Sequence, residues 1–189
     1  MSTPAWDALT ERVLAEFAAW APRSDAHIRT RARYLEQLHQ HGAAFVEKAA
    51  MREHITASCF LLSPDRSAVL LALHRKANRW LQLGGHLEIG DTGAASAALR
   101  EAVEEGGVHD ISLIEPTPMD LDIHELRGDF THCAVHWDIG FLAVAATRSV
   151  PLVSEESLDV RWWTLHELDA ADQELAARLR RMLHQLPAT

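Results

Sequence analysis

Residues Gly84–Val108 read GGHLEIGDTGAASAALREAVEEGGV. The paired glycines predict a tight turn placed directly before a helix, and that helix carries Arg100, Glu101, Glu104 and Glu105. At 3.6 residues per turn, Glu101, Glu104 and Glu105 occupy i, i+3 and i+4 and share one face. Like charges at these spacings oppose helix formation unless a cation lies among them. Hard divalent ions such as Mg²⁺ take oxygen ligands and bridge to phosphate oxygens. The stretch therefore reads as a Mg²⁺ cradle for a phosphorylated substrate. A plain acidic surface helix is the competing interpretation.

In order and spacing these residues resemble the Nudix box, G-x5-E-x7-R-E-U-x-E-E-x-G-U, where U is a bulky aliphatic residue. Gly85 fits the first glycine, and Arg100 through Val108 fit the second half without a gap. Three positions depart from the pattern. The first-half acid is Asp91, eight residues (Thr92–Leu99) rather than seven separate it from Arg100, and Ala102 is small for a U position. A loop or first helical turn can absorb the additional residue, which keeps the 100–105 face intact. Whether Asp91 then meets Arg100 is left to the structure.

The resemblance implies an α/β/α sandwich with a mixed β-sheet and a Mg²⁺-dependent hydrolase, with Mn²⁺ as a substitute ion. It assigns Glu101, Glu104, Glu105 and the backbone carbonyl of Gly85 to the metal. It makes Arg100 the residue that orients the carboxylates, a role suited to a bidentate guanidinium fork. A general base in such proteins is often a glutamate on a loop beyond the box. Val153-Ser154-Glu155-Glu156-Ser157 is the matching segment here, and Glu156 is preferred to Glu155. A simple polar loop, or proton transfer by a glutamate of the helix itself, are the alternatives. The expected catalytic set is thus Glu104, Glu105, Arg100 and Glu156. Arg75, Lys76, Trp80 and His86 are the candidates for substrate contact: the cations for phosphates, Trp80 for stacking or core packing.

Composition sets outer limits. A chain of 189 residues with 48% hydrophobic content suits one domain with an appendage. We expect a helical extension over 1–50 and the hydrolase domain over 51–189. No run of eighteen apolar residues occurs, so no membrane span is expected, and MSTPAWDALTERVLAEF lacks the layout of a secretory signal. Cys59 and Cys133 lie in apolar, strand-like contexts and are expected as small buried hydrophobes in a reducing cytoplasm. A formal net charge of −9 argues against nonspecific nucleic-acid binding but not against a nucleotide whose charge a metal offsets. The family resemblance is compatible with a homodimer.

Periodicity predicts helices over 5–20 and 25–41, the second capped by Ser24 or Asp25 and stopped at Gly42. The pair is expected to brace the domain, with a lid or dimer contact as alternatives. Strands are predicted at His54–Leu62 and Ala68–His74 as a hairpin, then at Trp80–Leu83, Leu121–Leu126, Thr131–Ala145 and Val160–Thr164. One closing helix is expected over about 167–185. Asp120, Asp122 and His124 alternate along one strand, and His132, His136 and Asp138 share a face of the next. If these strands pair through the 127–129 loop, their polar faces meet near His86. Such a set would hold a second metal or touch substrate; a polar sheet face lining a wet cleft is the more ordinary alternative.

Three functions compete. Hydrolysis of a diphosphate linkage in a nucleoside diphosphate derivative leads. An isomerase of the isopentenyl diphosphate type shares the fold but wants an active-site cysteine that Trp80–His86 lacks. A non-catalytic, nucleotide-sensing module is the third, disfavoured by the complete carboxylate set.

Overall fold

The structure is a computed structural model that describes residues 3–126 and 133–187, with the side chains of Ala170 and Ala171 left aside. His132, Thr131 and the 127–129 loop lie outside the described residues.

Two N-terminal helices come first, α1 (Pro4–Ala19) and α2 (Asp25–His41). Proline at the first position suits the start of α1, since its missing N–H would be an orphan there. The Ser24 hydroxyl accepts from the His27 N–H at the start of α2, and Gly42 ends it at φ +54°. Four strands follow: β1 (Glu53–Leu62), β2 (Ala68–His74), β3 (Arg79–Leu81) and β4 (Leu83–His86). The box helix α3 (Ala94–Gly106) leads to β5 (Ile111–Leu113), β6 (Asp120–Glu125), β7 (Val135–Ala145) and β8 (Ser157–Thr164). The chain closes with α4 (Leu165–Ala171) and α5 (Gln173–Leu183).

All eight strands join one mixed sheet. β1 is central: it runs parallel to β7 along its whole length, from Glu53 opposite Val135 to Leu62 opposite Val144. Its other edge takes β2 at Leu61–Leu62 and β4 at Thr56–Cys59, both antiparallel. The expected β1–β2 hairpin therefore forms only next to its turn; that edge of β2 then passes to β3, while its other edge pairs with β8 from Ala68 to His74.

Alternation along β1 separates two cores. Ile55, Ala57, Cys59 and Leu61 face Leu9, Val13 and Phe17 of α1, Tyr34 and Leu38 of α2, and the alanines of α3. Phe60 and Leu62 face the other way, onto Leu175, Leu179 and Met182 of α5. Helices cover both faces, as in an α/β/α sandwich. The alanine run Ala94, Ala97, Ala98 and Ala102 is fully buried, so α3 lies close on β1 and β4.

Three expectations need correction. Gly84 and Gly85 do not form a tight turn before the helix; they belong to β4, and α3 begins only at Ala94. Close backbone approach explains the glycine at 84, where an added Cβ would lie 2.7 Å from the Ala57 carbonyl oxygen and the Ser58 Cα. The closing helix is two helices, because Asp172 adopts an extended backbone and caps α5 by accepting from the Glu174 and Leu175 N–H groups. Of the strand expected over Thr131–Ala145, Val135–Ala145 is regular and Cys133 and Ala134 lie outside it.

The cap of α3 comes from outside the helix. Gly93 has no side chain to offer, and its φ of +154° suits glycine. Glu16 of α1 supplies the acceptors instead, one carboxylate oxygen to the Ala94 N–H (2.9 Å) and the other to the Ala95 N–H (3.1 Å). Arg12 of α1 also donates to the Asp91 carbonyl at 3.0 Å. Glu16→Ala should lower unfolding stability by about 1–2 kcal/mol, the usual effect of losing a helix cap. Urea unfolding measures it, and an unchanged midpoint would show that α1 does not anchor the box helix.

Candidate active site and the opposite polar face

Neighbouring residues of a strand point to opposite faces, and β4 uses this to separate two groups of side chains. Gly85 faces α3. An added Cβ there would lie 2.5 Å from Glu101 Oε1, so the glycine leaves open the space in which its backbone meets the carboxylate. His86 faces away from α3, with Thr56 as its partner on β1.

On the α3 side, Arg100 gathers the box. Its Nε and Nη2 lie 3.1 and 3.2 Å from the two oxygens of Asp91, forming a bidentate pair. Nη1 donates to Glu101 (3.0 Å) and Glu104 (2.8 Å), and Nη2 also donates to the His86 carbonyl (2.8 Å). Asp91 therefore does meet Arg100. The Asp91 carboxylate also accepts from the Glu88 N–H at 2.7 Å. Burial alone would lower the Arg100 pKa, but Asp91 and Glu101 raise it, so the guanidinium stays charged.

Glu105 is buried and accepts from the Gly84 N–H at 2.8 Å. Burial pushes its carboxyl up to about 8; the Gly84 hydrogen bond opposes the shift, and the charges of Glu101, Glu156 and Glu104 add to it. Glu101 is raised for related reasons, burial first, with Arg100 opposing and Glu104 and Glu156 adding. Such a cluster is stabilised by a cation among its oxygens, which fits a hard divalent ion. Glu104 is exposed apart from its bond to Arg100.

Glu156 thus lies within electrostatic reach of two box carboxylates. Arg75 holds this loop: its side chain donates to the Glu155 and Ser157 carbonyls (3.1 and 3.0 Å) and its N–H to the Glu156 carbonyl (2.9 Å). The sequence reading offered Arg75 to phosphate; its donors here position the loop of the candidate base. Lys76 is exposed, and its charge acts on His74 and His86. Trp80 packs edge-on against Trp163 at 5.1 Å, and Arg161 lies over both rings. That is the core-packing alternative for Trp80.

The other face carries the alternating His/Asp pattern. β6 and β7 do pair, placing Asp122 opposite Asp138 and His124 opposite His136. Asp120 and Asp138 are buried and Asp122 is partly exposed. Arg178 of α5, itself buried, donates to Asp120 at 2.7 Å and Asp138 at 2.9 Å, and lies 3.6 Å from Asp122. Thr56 and His27 satisfy the remaining oxygens, and Ser58 shares Asp138 Oδ2 with Arg178: Thr56 and Ser58 donate to Asp138 (3.1 and 2.6 Å), and His27 Nε2 lies 3.1 Å from Asp120. Burial would raise Asp120, yet His27 and Arg178 hold it below its usual value; His124 and Arg178 do the same for Asp122.

At the end of the same face, His54, His86, Cys133 and His136 converge. Burial, with nearby Lys48 and the other imidazoles adding to it, pushes His86 down to about 2. Burial and the charges of His54 and His124 push His136 down to about 4. Both rings are neutral near pH 7. His54 and Cys133 were not recognised as members of this group from sequence. Cys133 was read as a plain buried hydrophobe, but its Sγ lies 3.9 Å from His86 Nε2. Both cysteines are free thiols, and burial pushes Cys59 up to about 12. Cys59 is sealed in the core that faces α3, whereas Cys133 lies on the His86 side of the sheet.

A sandwich with this box is the architecture of hydrolases that cleave phosphate anhydrides. A family description, NUDIX domain, matches residues 49–186, and the chain belongs to that family. As a member with its hydrolase relatives, it is an enzyme of the pyrophosphohydrolase class. Among solved structures, a NUDIX-family hydrolase from Clostridium perfringens is similar at 26% identity and TM-score 0.57, covering 71% of this chain and 98% of that one. An Ap4A hydrolase from C. elegans in a binary complex matches at 18% identity and TM-score 0.57, covering 69% and 95%. The NUDIX domain of Shewanella oneidensis NrtR complexed with ADP ribose matches at 19% and 0.52, covering 79% and 97%. The last two likenesses establish the fold alone. No curated protein matches the chain significantly. No helix among the described residues is long and apolar enough to cross a membrane.

Arg178→Ala would leave Asp120 and Asp138 buried without their cation. We expect a loss of about 3–5 kcal/mol at pH 7, as for other broken buried pairs. The pH trend has a definite sign. In the native protein the depressed Asp120 and Asp122 contribute stability above their unfolded pKa of about 3.9, and this is lost as pH falls through their folded values. In the variant the same carboxylates are strained by burial, and protonation relieves them. The gap between the two proteins should therefore narrow as pH falls from 7 to 4, as the variant's raised carboxylates take up protons before those of the native protein. Unfolding by urea at pH 7 and pH 4 checks it; an equal gap at both would show that these carboxylates are not the coupled groups.

Proposed function

We propose that the chain is a Mg²⁺-dependent hydrolase that cleaves a diphosphate linkage in a nucleoside diphosphate derivative, with Mn²⁺ able to replace Mg²⁺. Nucleotide sugars, ADP-ribose, dinucleotides and nucleoside triphosphates form the substrate class. One observation supports this reading above the others: Glu101, Glu104 and Glu105 gather beside Gly85, with the charge of Glu156 reaching two of them.

Glu101, Glu104, Glu105 and the Gly85 carbonyl would hold the ion. When bound, Mg²⁺ neutralises non-bridging phosphate oxygens, orients the substrate and lowers the pKa of bound water. The protein's own groups do the rest. Arg100 fixes Glu101 and Glu104 against Asp91 and the His86 carbonyl, so the acceptors are arranged before substrate arrives. Glu105 is fixed by the Gly84 N–H. Glu156 takes the proton from the attacking water, and Arg75 keeps its loop in place. Lys76 is available to a terminal phosphate, while His86, whose side chain faces away from α3, serves this site through its carbonyl, which accepts from Arg100. The product is a phosphate or nucleotide released as one P–O bond forms to water and another breaks.

Residues 1–50 act as a brace in this reading, joined to the box by the Glu16 and Arg12 contacts. The similar NUDIX domain bound to ADP ribose keeps a second reading in view, a module that binds a nucleotide without turnover. The full carboxylate set argues for the hydrolase.

A panel of nucleotide sugars, ADP-ribose, dinucleotides and nucleoside triphosphates in H₂¹⁸O, with Mg²⁺ and with chelator, should yield Mg²⁺-dependent cleavage with ¹⁸O in one product. Binding of a panel member without any turnover would favour the sensing module. Glu105→Gln should abolish turnover while leaving the circular dichroism spectrum unchanged, and wild-type rates in that variant would sink the site. Glu156→Gln should lower kcat by about 10²–10⁴-fold, the range for a positioned general base. A matching loss in Glu155→Gln but not in Glu156→Gln would move the role one residue.

A further inference from the structure

We propose that His54, His86, Cys133 and His136 form a binding site for a zinc-class divalent transition-metal ion, separate from the carboxylate site of the box. Each residue offers one ligand atom, and these four atoms all lie within 4.8 Å of one another. Tetrahedral zinc, with bonds of about 2.0–2.1 Å to nitrogen and about 2.3 Å to sulfur, places its ligands about 3.3–3.8 Å apart. A contraction of about 1 Å at the widest pair closes the site, within reach of side-chain rotation.

The sheet itself builds the group. His54 lies opposite His136 in the parallel β1–β7 pair, and Thr56 lies opposite His86 in the antiparallel β1–β4 pair. Residues 54 and 56 share a face of β1, so the three imidazoles share one side of three adjacent strands. Their ring centroids are 5.0–5.3 Å apart. Cys133 enters from the segment just before β7.

Chemistry separates this set from the box. Three imidazoles and a thiolate suit zinc, cobalt or copper, whereas the oxygen set of Glu101, Glu104 and Glu105 suits Mg²⁺. The surroundings are also those of a ligand shell. His54 Nδ1 lies 2.9 Å from the Met51 carbonyl, which can only accept; the proton therefore sits on Nδ1 and the lone pair on Nε2. His136 Nε2 is buried with no hydrogen-bond partner among the described residues. Four protein ligands leave no open position, so the ion holds β4 to β1 and β7 instead of activating water. Binding displaces the Cys133 thiol proton to solvent. Because the His86 carbonyl accepts from Arg100, the ion would also steady the strand on which the box rests.

The test uses the full chain stripped by chelator, then titrated with Co²⁺ in excess Mg²⁺. One Co²⁺ per chain should bind with the intense visible bands of tetrahedral cobalt and a thiolate-to-cobalt band in the near ultraviolet, and Zn²⁺ should displace it. Cys133→Ala should lose the thiolate band, and Cys59→Ala should keep it. Glu105→Gln should also keep it, even though that variant loses turnover, which separates this site from the box. Should Cys133→Ala fail to fold, Cys133→Ser and the wild-type spectrum still decide the matter. Folded wild-type protein with no thiolate band, or a band that survives loss of Cys133, would overturn the proposal.

Discussion

Arg100 sits where the carboxylates of the box would otherwise repel one another and the loop before α3 would have nothing to close on. One guanidinium binds Asp91 through two nitrogens, Glu101 and Glu104 through a third, and the His86 carbonyl besides. It therefore joins the end of β4, the following loop and α3 into one unit. Glu105 completes the unit from the helix side through Gly84. Loss of this fork would leave the box carboxylates present in sequence but not held together, since three acids on one helical face repel one another.

The opposite face repeats the device with reversed proportions. There Arg178 is the buried cation and Asp120 and Asp138 are its partners, with Asp122 at longer range. Thr56 and His27 satisfy the oxygens that the guanidinium does not, and Ser58 shares Asp138 Oδ2 with it. A buried charge network of this kind is tolerable only when nearly every polar atom has a partner. The aspartates of β6 and β7 are thereby occupied, and among the described residues His54, His86, Cys133 and His136 converge beyond them.

The N-terminal helices are not carried passively. Glu16 caps α3, and the Tyr34 hydroxyl lies 2.8 and 2.9 Å from the Asp122 and Asp138 carbonyls. Phe17, Tyr34, Phe45 and Trp137 continue the sheet's core into the helices through ring contacts of 5.1–5.6 Å. Elements outside the box thus set the position of both the box helix and the polar face.

Sequence alone determined the box: its acids, Arg100 and Gly85 are close in the chain, and helical period turns that spacing into a shared face. It likewise determined the pairing parity of β6 and β7, because strand period is local too. It located both N-terminal helices through apolar periodicity, Ser24 and Gly42, and it misread the glycine pair, whose constraint comes from β1. The tertiary structure decided what spacing cannot encode. Glu16 meets Ala94 across 78 residues, Arg178 meets Asp120 across 58, and Cys133 meets His86 across 47. Partners so far apart leave no periodic trace, and each such side chain reads in isolation as a surface acid, a helix cation or a small hydrophobe. Only the folding of the chain, by bringing both partners out of water together, gives those residues their roles.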